Sequence, residues 1–199
     1  MFLGLLILAA PSLVHWDASF GPALAERAKR KAQSPAAAPP SPAPPIAYGA
    51  GKLPKPVAEM REAILTAVRD GRIEELKIAI ELNELKPNFG KQTLDDPIAY
   101  LKAVSGDGEG REILAILGEL LDGGYTTVPM GKDIENNKVY VWPYLAEVPL
   151  KDLTPAQEVE LLRLVPPAAA KEMKTKGRYA HWRIIIGADG TWHSFERME

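Results

Sequence analysis

The chain contains no cysteine. That absence excludes disulfides, thiolate metal sites, cysteine nucleophiles and acylation of a lipoprotein cysteine. Neither charge sign is in excess, with 24 Lys and Arg against 26 Asp and Glu, so no basic footprint points to nucleic acid. Histidine is scarce: three in all, of which His181 and His193 lie in the part expected to fold. No His-Glu-x-x-His spacing occurs, and a two-histidine metal site is not expected. Ser105 and Ser194 are the only serines after residue 56, and neither sits in a Gly-x-Ser-x-Gly elbow. Asp95-Asp96 and Glu74-Glu75 carry no mark of a glycosidase pair. No P-loop or dinucleotide fingerprint is present, and no cofactor is expected.

Long apolar runs are missing as well. Phe2 to Val14 is apolar but interrupted by Gly4, Pro11 and Ser12, and at ~1.5 Å per residue it reaches only roughly 20 Å as a helix, against a bilayer core of ~30 Å. This run reads as the core of a signal peptide, residues 1–25, with Ala23-Leu24-Ala25 as the cleavage site, so no membrane span is expected in the mature chain. No Lys or Arg precedes it, while Arg27, Lys29, Arg30 and Lys31 follow, opposite to the usual charge bias for export. A basic leader upstream of Met1 is therefore expected. The location this predicts is periplasmic or secreted.

Residues 26–56 are basic and then rich in Pro and Ala, as in SPAAAPPSPAPP. Proline removes amide donors and fixes φ, so the segment reads as an extended linker. Residues 57–199 read as one α+β domain, with helices packed on one side of a small antiparallel sheet that ends in a C-terminal β-hairpin. Val57, Met60, Ile64 and Val68 repeat at helical spacing, and Ile73 to Ile80 adds a second run after Gly71. Asp96 caps a short helix, Arg111 to Asp122 forms another, and Thr154-Pro155-Ala156-Gln157 is a capping box with Val159, Leu162 and Val165 facing inward. Tyr125 to Val128 and Lys138 to Tyr144 read as strands, joined by the polar turn Gly131 to Asn137.

The strongest local signal is RYAHWRIIIGADGTWHSFER, residues 178–197. Asp189-Gly190 suits a two-residue type I′ turn, which pairs Ile186 with His193, Ile184 with Phe195 and Arg183 with Glu196. One face then collects Trp182, Ile184, Ile186, His193 and Phe195. The opposite face collects Arg183, Ile185, Gly187, Trp192, Ser194 and Glu196, with the Trp192 ring over Gly187.

The segments DPIAYLKAVSGDGEGREILAIL, YVWPYLAEVPLKDLTPAQEVELLRLV and RIIIGADGTWHSF resemble a family of uncharacterised bacterial envelope proteins, over most of residues 56–195. The resemblance implies an exported protein and brings no activity with it. Glu196-Arg197-Met198-Glu199 stands where a Gly-Asp ending would fit that family.

Two groups of residues are candidates for function. Tyr140, Trp142 and Tyr144 share one strand parity, and with Trp192 and Arg183 they form a stacking surface for an envelope protein or cell-wall ligand, with one charged hydrogen bond. A core-filling role for the same rings is the plainer alternative. The glycine-rich loop offers Asp107, Glu109 and Glu112 as weak metal or acid–base candidates without the EF-hand spacing. Its plainer reading is a turn whose acids complement a helix dipole. The functional expectation is a non-catalytic binding module; the alternative is an enzyme that acts on an envelope polymer through the Asp107/Glu109 loop.

Overall fold

The computed structural model describes residues 44–90, 94–131 and 137–199. The signal-like run, the basic stretch and most of the Pro/Ala-rich segment lie outside the described residues. So does most of the polar turn expected at Gly131 to Asn137.

The expected class is the observed one, α+β with an antiparallel sheet that ends in the terminal hairpin. Strand β1 (Ile46–Ala47), β2 (Tyr125–Pro129), β3 (Lys138–Trp142), β4 (Trp182–Gly187) and β5 (Trp192–Arg197) follow one another across the sheet in chain order. β1 corrects the linker boundary: Ile46 pairs with Thr126 and Ala47 with Tyr125, and the Thr126 hydroxyl donates to the Pro45 carbonyl at 2.9 Å. Two paired residues inside a proline-rich stretch leave no periodic trace in the sequence. The folded unit therefore begins before residue 57.

Helix α1 (Lys55–Asp70) starts with proline in its first turn and ends at Gly71, whose positive φ of 65° closes the last carbonyls. A 3₁₀ turn (Ile73–Glu75) leads into α2 (Leu76–Glu81). Helix α3 (Pro97–Val104) is capped by the Asp96 carboxylate, which accepts from the Ala99 amide. Helix α4 (Arg111–Asp122) packs on α1, and the Arg61 guanidinium of α1 donates twice to the Leu121 carbonyl near the end of α4, at 2.8 and 3.0 Å. Together α1 to α4 bury Ile64, Leu76, Leu101, Leu117 and Leu120 against one face of the sheet. That face contributes Tyr125, Trp142, Ile184, Ile186, Trp192 and Phe195.

A second, smaller core holds helices α5 (Pro155–Leu164) and α6 (Pro167–Lys176). Both bonds of the Thr154–Gln157 capping box form. The inward face of α5 differs from the expected one. Leu161 and Val165 are buried, whereas Val159 and Leu162 are exposed. Leu161, Leu162, Leu164 and Val165 are all apolar, so a three-residue spacing fits two faces of this helix, and packing on α6 selects the other one.

The hairpin also departs from its expected register, but only near the tip. Arg183 faces Glu196 and Ile184 faces Phe195 as expected. Above them the loop has three residues, not two. The Gly187 amide donates to the Thr191 carbonyl (2.8 Å), the Gly190 amide donates to the Gly187 carbonyl (2.9 Å), and Gly190 has φ 91°. This is the longer hairpin loop in which glycine takes the left-handed position. A shift between Ile185 and Ile186 then leaves Ile186 opposite Trp192 and Ile185 opposite Ser194, with His193 as the extra residue. The bulge offsets the longer loop, so the lower half of the ribbon keeps the simple pairing while Trp192 turns to the core face.

Candidate functional site

The rings expected on an open surface are packed inside. Trp142 is 1% exposed, Tyr144 0% and Trp192 0%. Tyr140 is half-buried on the core face, its ring centroid 5.9 Å from Tyr125 and 6.4 Å from Trp142. Tyr144 is not on the strand at all. β3 ends at Trp142, Pro143 follows through a cis bond, and Tyr144 opens a 3₁₀ turn in the smaller core. Burial pushes its hydroxyl above the ordinary tyrosine range. Trp192 stacks edge-on against Phe89 at 5.3 Å, and its indole N–H donates to the Ser194 carbonyl. These four rings build the core and do not line one surface.

Arg183 lies on the other face of the sheet, 21% exposed at its side chain, between the carboxylates of Glu196 (2.8 Å) and Glu147 (3.5 Å). Two flanking carboxylates already occupy the guanidinium that was expected to meet a ligand. Its Nε and the Ser194 hydroxyl are buried without a hydrogen-bond partner.

The glycine-rich loop is a helix cap. The Asp107 carboxylate accepts from the Ser105 hydroxyl and from the amides of Glu109, Gly110 and Arg111 at the start of α4. The Ser105 hydroxyl, then the backbone amides, hold its carboxyl pKa below the usual carboxylate range. Glu112 reaches back to the Gly106 amide. With Asp107 and Glu112 committed to amide donors, the loop offers no converging carboxylates, and no group of three metal-ligating side chains occurs among the described residues.

A groove the sequence did not single out lies at the tip of the hairpin. Its volume is about 670 Å³, and it runs between the start of α1, the segment after α2 and the loop of β4 and β5. Gly190 packs directly on α1; a Cβ there would stand 2.9 Å from the Pro56 carbonyl oxygen. Asn83 fixes the opposite wall, its side-chain oxygen accepting the Trp192 amide at 2.7 Å. Asn88 closes the outer edge of β5, donating its amide to His193 and accepting from Phe195, each at 2.9 Å. The outer edge of β5 is thereby occupied at Trp192, His193 and Phe195.

Leu82 and Leu85 stand on this groove at 64% and 81% exposure. Glu59, Glu84 and Asp189 outnumber its one lysine, Lys86, whose ammonium donates to the Asp95 carbonyl. The Thr191 amide holds the Asp189 carboxyl below its ordinary range, so the groove keeps its negative charge. His193, displaced by the bulge, lies over Gly187, where the sequence places Trp192. The signal that could have located the groove is the pair of leucines flanking Asn83-Glu84, too hydrophobic for a solvated turn.

No helix among the described residues is long and apolar enough to cross a membrane. No protein family, no curated protein and no solved structure matches this chain.

Proposed function

We propose that this is an exported protein of the bacterial envelope, periplasmic or secreted, that binds and does not catalyse, and that its partner is an extended segment of an envelope protein carrying lysine or arginine between apolar residues. The signal-like start, the proline-rich spacer and the family resemblance support the address. One observation carries the binding site: two exposed leucines, Leu82 and Leu85, beside a groove with three carboxylates and one lysine. Apolar side chains on a rigid, backbone-satisfied wall supply contact area, and the acidic residues select the sign of the ligand. A sugar-stacking ligand draws less support because Trp142, Tyr144 and Trp192 are buried. The enzymatic alternative draws none from a loop whose Asp107 caps a helix.

A peptide array of extended sequences that vary in charge, followed by solution titration of the strongest binder, tests this reading. Basic, leucine-containing peptides bind, and Leu85→Asp or Glu84→Lys abolishes their binding. Equal binding of acidic and basic peptides, or binding unchanged by both variants, contradicts it.

A further inference from the structure

We infer that the cleft between α5 and α6 binds a single-chain anionic amphiphile, a long-chain fatty carboxylate, independently of the hairpin-tip groove. The cleft exists because α6 opens with Pro167-Ala168-Ala169-Ala170. Ala170, the one alanine of that run that lines the cleft, is too small to fill the space between the helices, and a cleft of about 510 Å³ remains. That volume lies within the range of ordinary small-ligand sites. Its floor is Leu161 and Ala170, both buried, and Leu162 forms an apolar wall that is 48% exposed. This is the same Leu162 that the helical spacing predicts to face inward.

The rim carries three lysines, Lys151, Lys171 and Lys174, against one carboxylate. Glu158 is the cleft's only carboxylate, and Lys174 already pairs with it. Lys176 pairs in turn with Glu172, whereas among the described residues neither Lys151 nor Lys171 makes an ion pair, so two ammonium groups on the rim lack a paired carboxylate. The Lys151 stem is held in place: it lies across Gly177, where a Cβ would sit 2.8 Å from the Lys151 Cε. The Thr175 hydroxyl donates back to the Lys171 carbonyl at 2.9 Å and is not offered to the cleft.

An apolar trough with two unpaired cations at its rim complements a ligand that is hydrocarbon along its length and anionic at one end. A peptide fits less well. It would bring backbone N–H and C=O groups onto a floor of aliphatic side chains whose own backbone is committed to the helices, and unmet polar groups are costly to bury. Hydrocarbon has no such requirement.

Fluorescence titration of the purified chain with cis-parinarate, a fluorescent fatty acid, tests the proposal, with palmitate as competitor. Saturable binding of one probe per chain is expected, displaced by palmitate and poorly displaced by its uncharged methyl ester. Raising the salt concentration weakens it. The double variant Lys151→Glu, Lys171→Glu weakens binding by roughly tenfold, since each exposed attraction becomes a repulsion. Leu162→Asp weakens it as well, while Leu85→Asp in the other groove leaves it unchanged. All three variants alter exposed side chains, and far-ultraviolet circular dichroism shows whether the fold is intact. Absent saturation, equal displacement by the methyl ester, or indifference to the lysine and Leu162 variants overturns the proposal. So does preferential capture of the chain by phosphatidylglycerol vesicles or of an acidic peptide at this cleft. Loss of peptide binding in Leu85→Asp with cis-parinarate binding intact separates this site from the groove at the hairpin tip.

Discussion

Asn83 and Trp192 are 109 residues apart in sequence and joined by one hydrogen bond, from the Trp192 backbone N–H to the Asn83 side-chain oxygen at 2.7 Å. The same side chain donates through its nitrogen to the carbonyls of Ala79 and Ile80 at the end of α2. One amide thus caps a helix and holds a bulged strand. Asparagine suits this role because it offers both donor and acceptor on a short stem.

Asn83→Ala removes the acceptor of the part-buried Trp192 amide and the side-chain donor to the Ala79 carbonyl, while the Ile80 carbonyl keeps the backbone N–H of residue 83, and the change is expected to cost about 1–3 kcal/mol. Asn83→Asp retains the acceptor for Trp192 but loses the donor, placing a negative charge beside the helix carbonyls. Urea denaturation of the three proteins measures both effects, and each variant is less stable than the parent.

Gly190→Ala disrupts the tip more severely. The residue adopts φ 91°, and an added Cβ meets the Pro56 carbonyl oxygen at 2.9 Å. Left-handed backbone and a clash with main chain together cost about 2–4 kcal/mol. Thermal denaturation shows the loss, and peptide binding at the groove falls with it because Gly190 seats the hairpin on α1.

His181 gives the fold a pH dependence. Burial first, and then the neighbouring Arg197, lower its pKa from the ordinary 6.5. The folded state therefore holds the imidazole neutral where the unfolded chain binds a proton. Stability is present above pH ~6.5 and declines as pH falls from there toward the lower folded value. Unfolding measured across that window shows this decline in the parent, and His181→Gln flattens it.

Asp107 and Glu109 are separable. Asp107→Ala removes the acceptor for three backbone amides and lowers the melting temperature, whereas Glu109→Ala, whose backbone makes the bond and whose carboxylate does not, leaves it unchanged. Asp107 contributes its stability above its unfolded pKa, and that contribution disappears as pH falls through the depressed folded value. An acid melt of the parent and of Asp107→Ala checks the sign: the parent loses this contribution as pH falls and converges on the variant.

The elements with chemical punctuation were legible in the sequence. Asp96, Thr154-Pro155 and Gly123 mark helix ends because caps and breakers act locally. The lower hairpin was legible because Ile184 and Phe195 are both apolar and must share a face. The tip was not, since Asp-Gly serves a three-residue loop as well as a two-residue one, and the difference moves Trp192 across the sheet. Tyr144 departs from the strand parity of Tyr140 and Trp142 because β3 stops at Trp142, before Pro143. Val159 and Leu162 faced the wrong way because α5 carries apolar residues on two faces. Both proposed sites come from side chains that the tertiary packing leaves out, Leu82 and Leu85 at one and Leu162 at the other, and no local pattern distinguishes those from core leucines.

The placement of Trp192 underlies the rest, because the groove at the hairpin tip exists only if the bulge at His193 turns that ring inward and Asn83 receives its amide. Fluorine NMR of the 5-fluorotryptophan-labelled chain, with the Trp192 resonance assigned by Trp192→Phe, measures this directly. A resonance that does not move between H₂O and D₂O is predicted, as for a ring with 0% exposure. A solvent-isotope shift like that of free 5-fluorotryptophan would place the ring outside the core, in the simple two-residue-loop register, and contradict the account.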